Sequence, residues 1–243
     1  MPDELIKSAE YKAGKYEQAL TNVFLKIDEM LQTEEGRSEI SKLNKEFQAQ
    51  STESPSKRGF DEEDEGPEMK GCTSNVILIK DKIMYIANAG DSRSVLATKG
   101  SAVELSKDHK PDNDIERKRI YKAGGTVVEG RVDGNLNLSR ALGDLRYKTK
   151  KELKPQEQMI TANPDVKKVP ITPDCDFIIM GCDGIYETKT SQQIVDMLYD
   201  NLKTMTSKSS LERLLDSIIS PDYIKTEGAG CDNMTSILIQ FKK

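Results

Sequence analysis

With 243 residues, 36% of them hydrophobic and 32% charged, the chain is long enough to bury a core in one large domain or two small ones. A formal net charge of −5 argues against general nucleic-acid binding, which needs a concentrated basic surface. No apolar run reaches the length of a membrane span, the N-terminus has no signal-peptide core, and Cys72, Cys175, Cys182 and Cys231 show no paired spacing. These features speak against a membrane span, a zinc site or a disulfide framework, and they suit a reducing, cytoplasmic or nuclear setting.

In chain order, residues 3–31 read as helix, because Leu20, Val23, Phe24, Ile27, Met30 and Leu31 recur at helical spacing. Ile40, Leu43 and Phe47 predict a second, shorter helix. Residues 48–68 lose that period and include the acidic run Asp61-Glu-Glu-Asp-Glu65, which reads as a disordered surface loop. Strands are expected at 76–79 and 83–87, on either side of an Asp81-Lys82 hairpin turn. A third run at 94–98, closed by Lys99-Gly100, completes what reads as a meander. Residues 112–123 predict a helix ended by Gly124-Gly125, and two short strands follow at 127–128 and 131–132. A buried strand at 177–180, helices at 191–204 and 211–220, and a final strand at 234–241 complete the pattern. Antiparallel strands with helix pairs between them indicate an α+β fold, not alternating βαβ units.

Two aspartates carry the chemistry. Asp183 follows the apolar run at 177–180 and precedes Gly184, and Asp232 stands in Gly228-Ala-Gly-Cys-Asp-Asn-Met-Thr235 just before the last strand. A carboxylate fixed at a strand end beside Gly is well placed to hold a hard cation. One such segment can equally cap a turn. Two of them, with a third at Gly90-Asp-Ser-Arg93, favour a divalent-metal site. No loop has the ligand spacing of an EF-hand, which speaks against calcium binding. Cys182 and Cys231 precede the two key aspartates and read as small buried filler.

Several segments together resemble metal-dependent serine/threonine protein phosphatases of type 2C, the PPM family. They are Gly71-Cys-Thr73, Ala87-Asn-Ala-Gly-Asp-Ser-Arg93, Asp108-His-Lys-Pro111, Glu116-Arg-Lys-Arg-Ile120, Ala123-Gly-Gly125, Leu138-Ser-Arg-Ala-Leu-Gly-Asp144, Cys182-Asp-Gly-Ile-Tyr186 and Cys231-Asp-Asn-Met-Thr235. The resemblance implies a two-layer antiparallel β-sandwich flanked by helix pairs, with a binuclear Mn²⁺ or Mg²⁺ centre between the sheets. It makes Asp183 and Asp232 ligands of that centre, and Asp91 the ligand of a third, weaker metal. Asn233 orients water in this reading, while Ser139, Arg140 and Asp144 match a motif with a structural role. The implied reaction is hydrolysis of phosphoserine and phosphothreonine in protein substrates by metal-bound water; the chain is expected to be a monomer. Two cations about 3.5–4 Å apart can bridge a water, lower its pKa and bind phosphate oxygens. No protein nucleophile is then needed, which fits a chain with one histidine, His109, read as structural.

The family also carries an Arg near a Glu-Asp pair, which binds the substrate phosphate. An Asp-Gly-His-Gly segment follows, whose Asp bridges both metals and whose His protonates the leaving group. Neither segment occurs in these 243 residues. Residues 1–243 are therefore expected to form a partial catalytic domain without its first strands, with uncovered strand edges and weak or no turnover on its own. The alternative is a non-catalytic, phosphatase-like scaffold or regulatory protein. It would dock partners through the acidic loop or through 147–158, where Lys148, Lys150, Lys151 and Lys154 make the chain basic. In the family this second region belongs to a variable flap near the active site.

Overall fold

A computed structural model describes residues 1–50 and 70–242, with side chains left out at 47–50. The helices are α1 (Pro2–Lys7), α2 (Ala9–Lys12), α3 (Tyr16–Gln32), α4 (Glu34–Gln50), α5 (Asp114–Lys122), α6 (Asp183–Tyr186), α7 (Ser191–Leu202) and α8 (Ser207–Asp216). The strands are β1 (Gly71–Cys72), β2 (Ser74–Lys80), β3 (Ile83–Ala89), β4 (Arg93–Thr98), β5 (Ser101–Glu104), β6 (Val127–Val128), β7 (Arg131–Val132), β8 (Leu142–Gly143), β9 (Asp165–Pro170), β10 (Cys175–Gly181) and β11 (Ser236–Gln240). The chain divides into two compact units, residues 1–73 with 110–164 and residues 74–109 with 165–243.

The first unit holds the N-terminal helices. The single helix expected over 3–31 is three pieces. Ser8 caps α2 by accepting the Tyr11 N–H at 3.2 Å, and Gly14, at φ 73°, turns the chain into α3, where a side chain would be strained. Leu20, Val23 and Phe24 are buried as the period requires, but Met30 is exposed and Asp28 is buried instead. The second helix is longer than expected and runs through residues 48–50, and the remainder of the expected acidic loop, 51–68, lies outside the described residues. Further on, α5 ends as its glycines predict. Gly125 donates to Ile120 O at 2.9 Å and Gly124 to Tyr121 O at 3.0 Å, with Gly124 at φ 85°, a Schellman ending. Ile120, Val132, Ala141, Tyr147 and Ile160 form a small apolar core around it.

The second unit contains the antiparallel sandwich. One sheet has the order β2-β3-β9 and the other β11-β10-β4-β5. Asp81 and Lys82 both take positive φ, 51° and 59°, the left-handed twist that a two-residue hairpin needs. Met84 and Ile86 of β3 meet Leu96 of β4 and Ile178 of β10 between the sheets. On the other face of the larger sheet, Val95, Ala97, Phe177 and Ile179 pack against Ile194, Val195 and Leu198 of α7 and Leu214 of α8. Thr190 and Gln193 form a reciprocal capping box that starts α7.

The expected meander is corrected here. After β3 the chain leaves its sheet, and β4 joins the other one. Residues 94–97 of β4 are all buried, like most of β3, so alternation could not reveal which sheet each strand enters. The change of sheet falls at Gly90, whose φ is 121°. Strands β5 and β9 were not anticipated because they are mostly exposed and polar. Edge strands β2 and β11 carry the exposed Ile79 and Ile237.

Candidate metal centre

The register of the larger sheet places the three aspartates. Gly181 of β10 lies opposite Arg93 of β4 on one side and Ser236 of β11 on the other. Asp183 stands just beyond the end of β10, while Asp91 and Asp232 stand just before β4 and β11. Because these strands are antiparallel, all three residues leave the same end of the sheet. Their exposure differs: Asp91 is buried, Asp183 half-buried and Asp232 exposed, as is Asn233.

The segments of Asp183 and Asp232 are stitched together. Cys182 donates its backbone N–H to Thr235 O at 3.2 Å. Its thiol meets Asn233 O at 3.3 Å and accepts the Thr235 N–H at 3.3 Å. A Cβ on Gly184 would lie 2.7 Å from Asn233 O, so only glycine allows this approach. Cys182 is thus a half-buried staple, and Cys231 is exposed, which corrects the reading of both as buried filler.

Each of these two carboxylates uses one oxygen locally. Asp183 Oδ1 accepts the Gly184 N–H at 3.0 Å, and Asp232 Oδ1 accepts the Asn233 N–H at 2.7 Å. These bonds fix the carboxylates and leave further lone pairs open, a donor set that suits a hard cation. Among the described residues, no three His, Cys, Asp or Glu side chains converge closely enough to hold a metal ion. The fit is therefore to two ligand positions on adjoining segments.

Asp91 sits in a turn held from both sides by one dipeptide. His109 Nδ1 accepts the Gly90 N–H at 3.2 Å, and the His109 N–H donates to Gly90 O at 3.0 Å. With Nδ1 accepting, the ring proton belongs on Nε2, which faces Asp165 Oδ2 at 3.2 Å. Asp108 accepts both arms of Arg93, Nε at 3.0 Å and Nη2 at 2.8 Å. Arg93 also reaches Glu104 at 3.3 Å and Ser191 Oγ at 3.2 Å. Its guanidinium lies 4.6 Å from the centre of the Tyr186 ring, and the Tyr186 hydroxyl donates to Arg93 O at 3.3 Å. Burial pushes that hydroxyl well above the usual phenol range, so it remains a neutral donor.

In the first unit, Ser139 and Arg140 take the structural role that the motif suggests. Glu116 accepts Arg140 Nη2 at 2.7 Å, Arg119 Nη1 at 2.5 Å and Ser139 Oγ at 2.8 Å. Burial alone would push the Glu116 carboxyl up, but the two guanidinium groups outweigh it and hold it down at about 2. Asp144 takes φ 51° and donates its backbone N–H to Lys70 O at 2.9 Å, a turn that lies beside the β1–β8 pair. Lys148, expected on an exposed basic surface, instead has a buried side chain that donates to Asp28 Oδ1 at 2.6 Å and Ala141 O at 2.8 Å. Sequence reasoning missed Glu116 as the hub and Asp28 as its neighbour in role. An acidic residue on the apolar face of α3 was the available signal for the second.

The two antiparallel sheets with helices packed against them define an α+β class of protein. The family model for protein phosphatase 2C matches residues 7–223, and the chain belongs to the protein phosphatase 2C family. It is 48% identical over 241 residues to probable protein phosphatase 2C 6 of Paramecium tetraurelia, with 99% of this chain and 75% of the relative covered. It is 40% identical over 260 residues to probable protein phosphatase 2C 21 of Arabidopsis thaliana, covering 99% of this chain and 72% of the relative. A solved phosphatase from Toxoplasma gondii shares 32% identity at a TM-score of 0.57, over 65% of this chain and 48% of the other. A serine-threonine phosphatase 2C from the same organism superposes at a TM-score of 0.71 over 99% of this chain and 78% of the other, and at 18% identity it attests the fold alone.

Proposed function

We propose that this member of the protein phosphatase 2C family hydrolyses phosphoserine and phosphothreonine in proteins, in dependence on Mn²⁺ or Mg²⁺. The observation that carries the reading is that Asp91, Asp183 and Asp232 all leave the same end of the larger sheet. Bound divalent cations supply Lewis-acid activation of water and neutralise phosphoryl charge. The chain's own residues supply placement. Asp183 and Asp232 present open carboxylate oxygens from segments locked by Gly184 and Cys182, and Asn233 sets a side-chain amide beside Asp232, where it can orient water. Asp91 belongs to a third, weaker site. Phosphorylated proteins are the partners, the chain acts as a monomer, and its four free cysteines suit a cytoplasmic or nuclear setting.

Turnover by these 243 residues alone is expected to be slow, since no segment matches the family's phosphate-binding Arg or its Asp-Gly-His-Gly. The second reading, a non-catalytic scaffold, is favoured by one observation: no three ligand side chains converge among the described residues. Phosphate release from a phosphothreonine peptide, titrated with Mn²⁺, separates the two. Slow, Mn²⁺-dependent release that disappears in Asp183→Asn supports the enzyme. Release that ignores Mn²⁺ or survives in Asp183→Asn removes the assigned site, and a folded chain that neither binds Mn²⁺ nor releases phosphate supports the scaffold.

A further inference from the structure

We propose that Arg93 is a positioning residue that couples the turn carrying Asp91 to the helix start carrying Asp183. The inference rests on the reading of these aspartates as metal ligands, but its evidence is mechanical. Arg93 lies two positions after Asp91, and its register partner Gly181 lies two positions before Asp183. Its side chain joins what those neighbours cannot. One edge of the guanidinium is committed to Asp108 through a bidentate pair, at 3.0 and 2.8 Å. The adjacent His109 holds Gly90 by two hydrogen bonds. Asp108 and His109 therefore grip the turn at Arg93 and at Gly90, and Asp91-Ser92 is fixed between them.

The same guanidinium is stacked on Tyr186, the last residue of the short helix that begins at Asp183. Tyr186 returns a hydrogen bond to Arg93 O. A four-residue helix has too few internal hydrogen bonds to hold its own direction. Its outer end is held by Arg93, and its first turn rests on Asn233 through Gly184. A second connection through Glu104 and Ser191 ties Arg93 to the start of α7. Arginine suits this role because its flat fork can pair edge-on with a carboxylate while its face stacks on a ring. A lysine ammonium cannot do both.

Hydrogen exchange followed by mass spectrometry, with no metal present, reads the coupling directly. In Arg93→Lys, amides of 88–93 and 182–187 should exchange at least about tenfold faster, the size of one lost charge-assisted pair. Amides of α8 should be unchanged. Two further variants separate the arms. Tyr186→Leu should loosen 182–187 and leave 88–93 protected, and Asp108→Asn should loosen 88–93 most. Unchanged exchange in Arg93→Lys, or loosening spread evenly over the second unit in all three variants, overturns the proposal. Mn²⁺ binding followed by electron paramagnetic resonance keeps the two readings apart. A parent chain that binds no Mn²⁺ removes the metal reading, while exchange still decides the coupling. A parent that binds, with Arg93→Lys binding equally well despite loosened segments, removes the positioning role.

Discussion

Two groups of acidic side chains in this protein are satisfied in opposite ways. Glu116 is buried and receives hydrogen bonds from Arg119, Ser139 and Arg140. Asp183 and Asp232 are half-buried and exposed, and each receives one hydrogen bond from the residue that follows it. A buried carboxylate must be paired or its desolvation is not offset, so the Glu116 network completes itself inside the fold. Asp183 and Asp232 are fixed in place by one local hydrogen bond each, with no ion pair to a described residue. Both groups lie in segments that resemble family motifs, so resemblance to a motif does not separate an internal structural role from an outward chemical one. The number and origin of the partners does.

The largest effect that can break this comparison is expected at Arg140. Arg140→Ala leaves Glu116 buried with one guanidinium fewer and also abandons Asn163 O, to which Arg140 donates at 3.1 Å. Truncating one partner of a buried pair costs about 3–5 kcal/mol, and urea denaturation should show that loss. Little loss would mean that Arg119 and Ser139 suffice and that the network is redundant.

A pH titration of the same stability comes next in size. The Glu116 carboxyl is held at about 2 in the folded chain, against 4.5 for the ordinary side chain. Between those values the unfolded chain binds more protons, so the contribution is complete above about pH 4.5 and fades as pH falls toward 2. The difference corresponds to about 3 kcal/mol. Unfolding free energies measured from pH 7 down to pH 3 should fall, and they should fall less steeply in Arg140→Ala.

The sandwich's central strands and the strand-end placement of the three aspartates were legible because each depends on a local signal. Apolar runs mark β3, β4 and β10, and glycine adjoins Asp91 and Asp183 and stands two positions before Asp232. What was not legible depended on distance in the chain. Nothing near Ala89 tells that β4 joins a different sheet, because both strands are buried on both faces. Lys148 looked like part of an exposed basic stretch because its partner Asp28 is 120 residues away. The helix over 3–31 broke at Ser8 and Gly14, residues that cap or turn the chain, yet the spacing from Leu20 onward outweighed them in a reading by period alone. Glu116 was visible inside its motif, but its donors come from 119, 139 and 140, and only the fold shows that they meet on one carboxylate.

The smallest expected effect is also the sharpest test of the difference between the two groups. In the absence of divalent cations, Asp183→Asn should change stability by no more than about 0.5 kcal/mol. The amide oxygen can still accept the Gly184 N–H, and no ion pair is lost among the described residues. With Mn²⁺ at about a hundred times its dissociation constant, the parent should gain about 2.7 kcal/mol by mass action, and the variant should gain far less. A loss of several kcal/mol without any metal would place Asp183 with Glu116, as an internal structural acid. Equal stabilisation of both chains by Mn²⁺ would move the cation away from this residue. Only a neutral substitution combined with a lost response to Mn²⁺ fits a carboxylate that the fold positions but leaves for an external cation to complete.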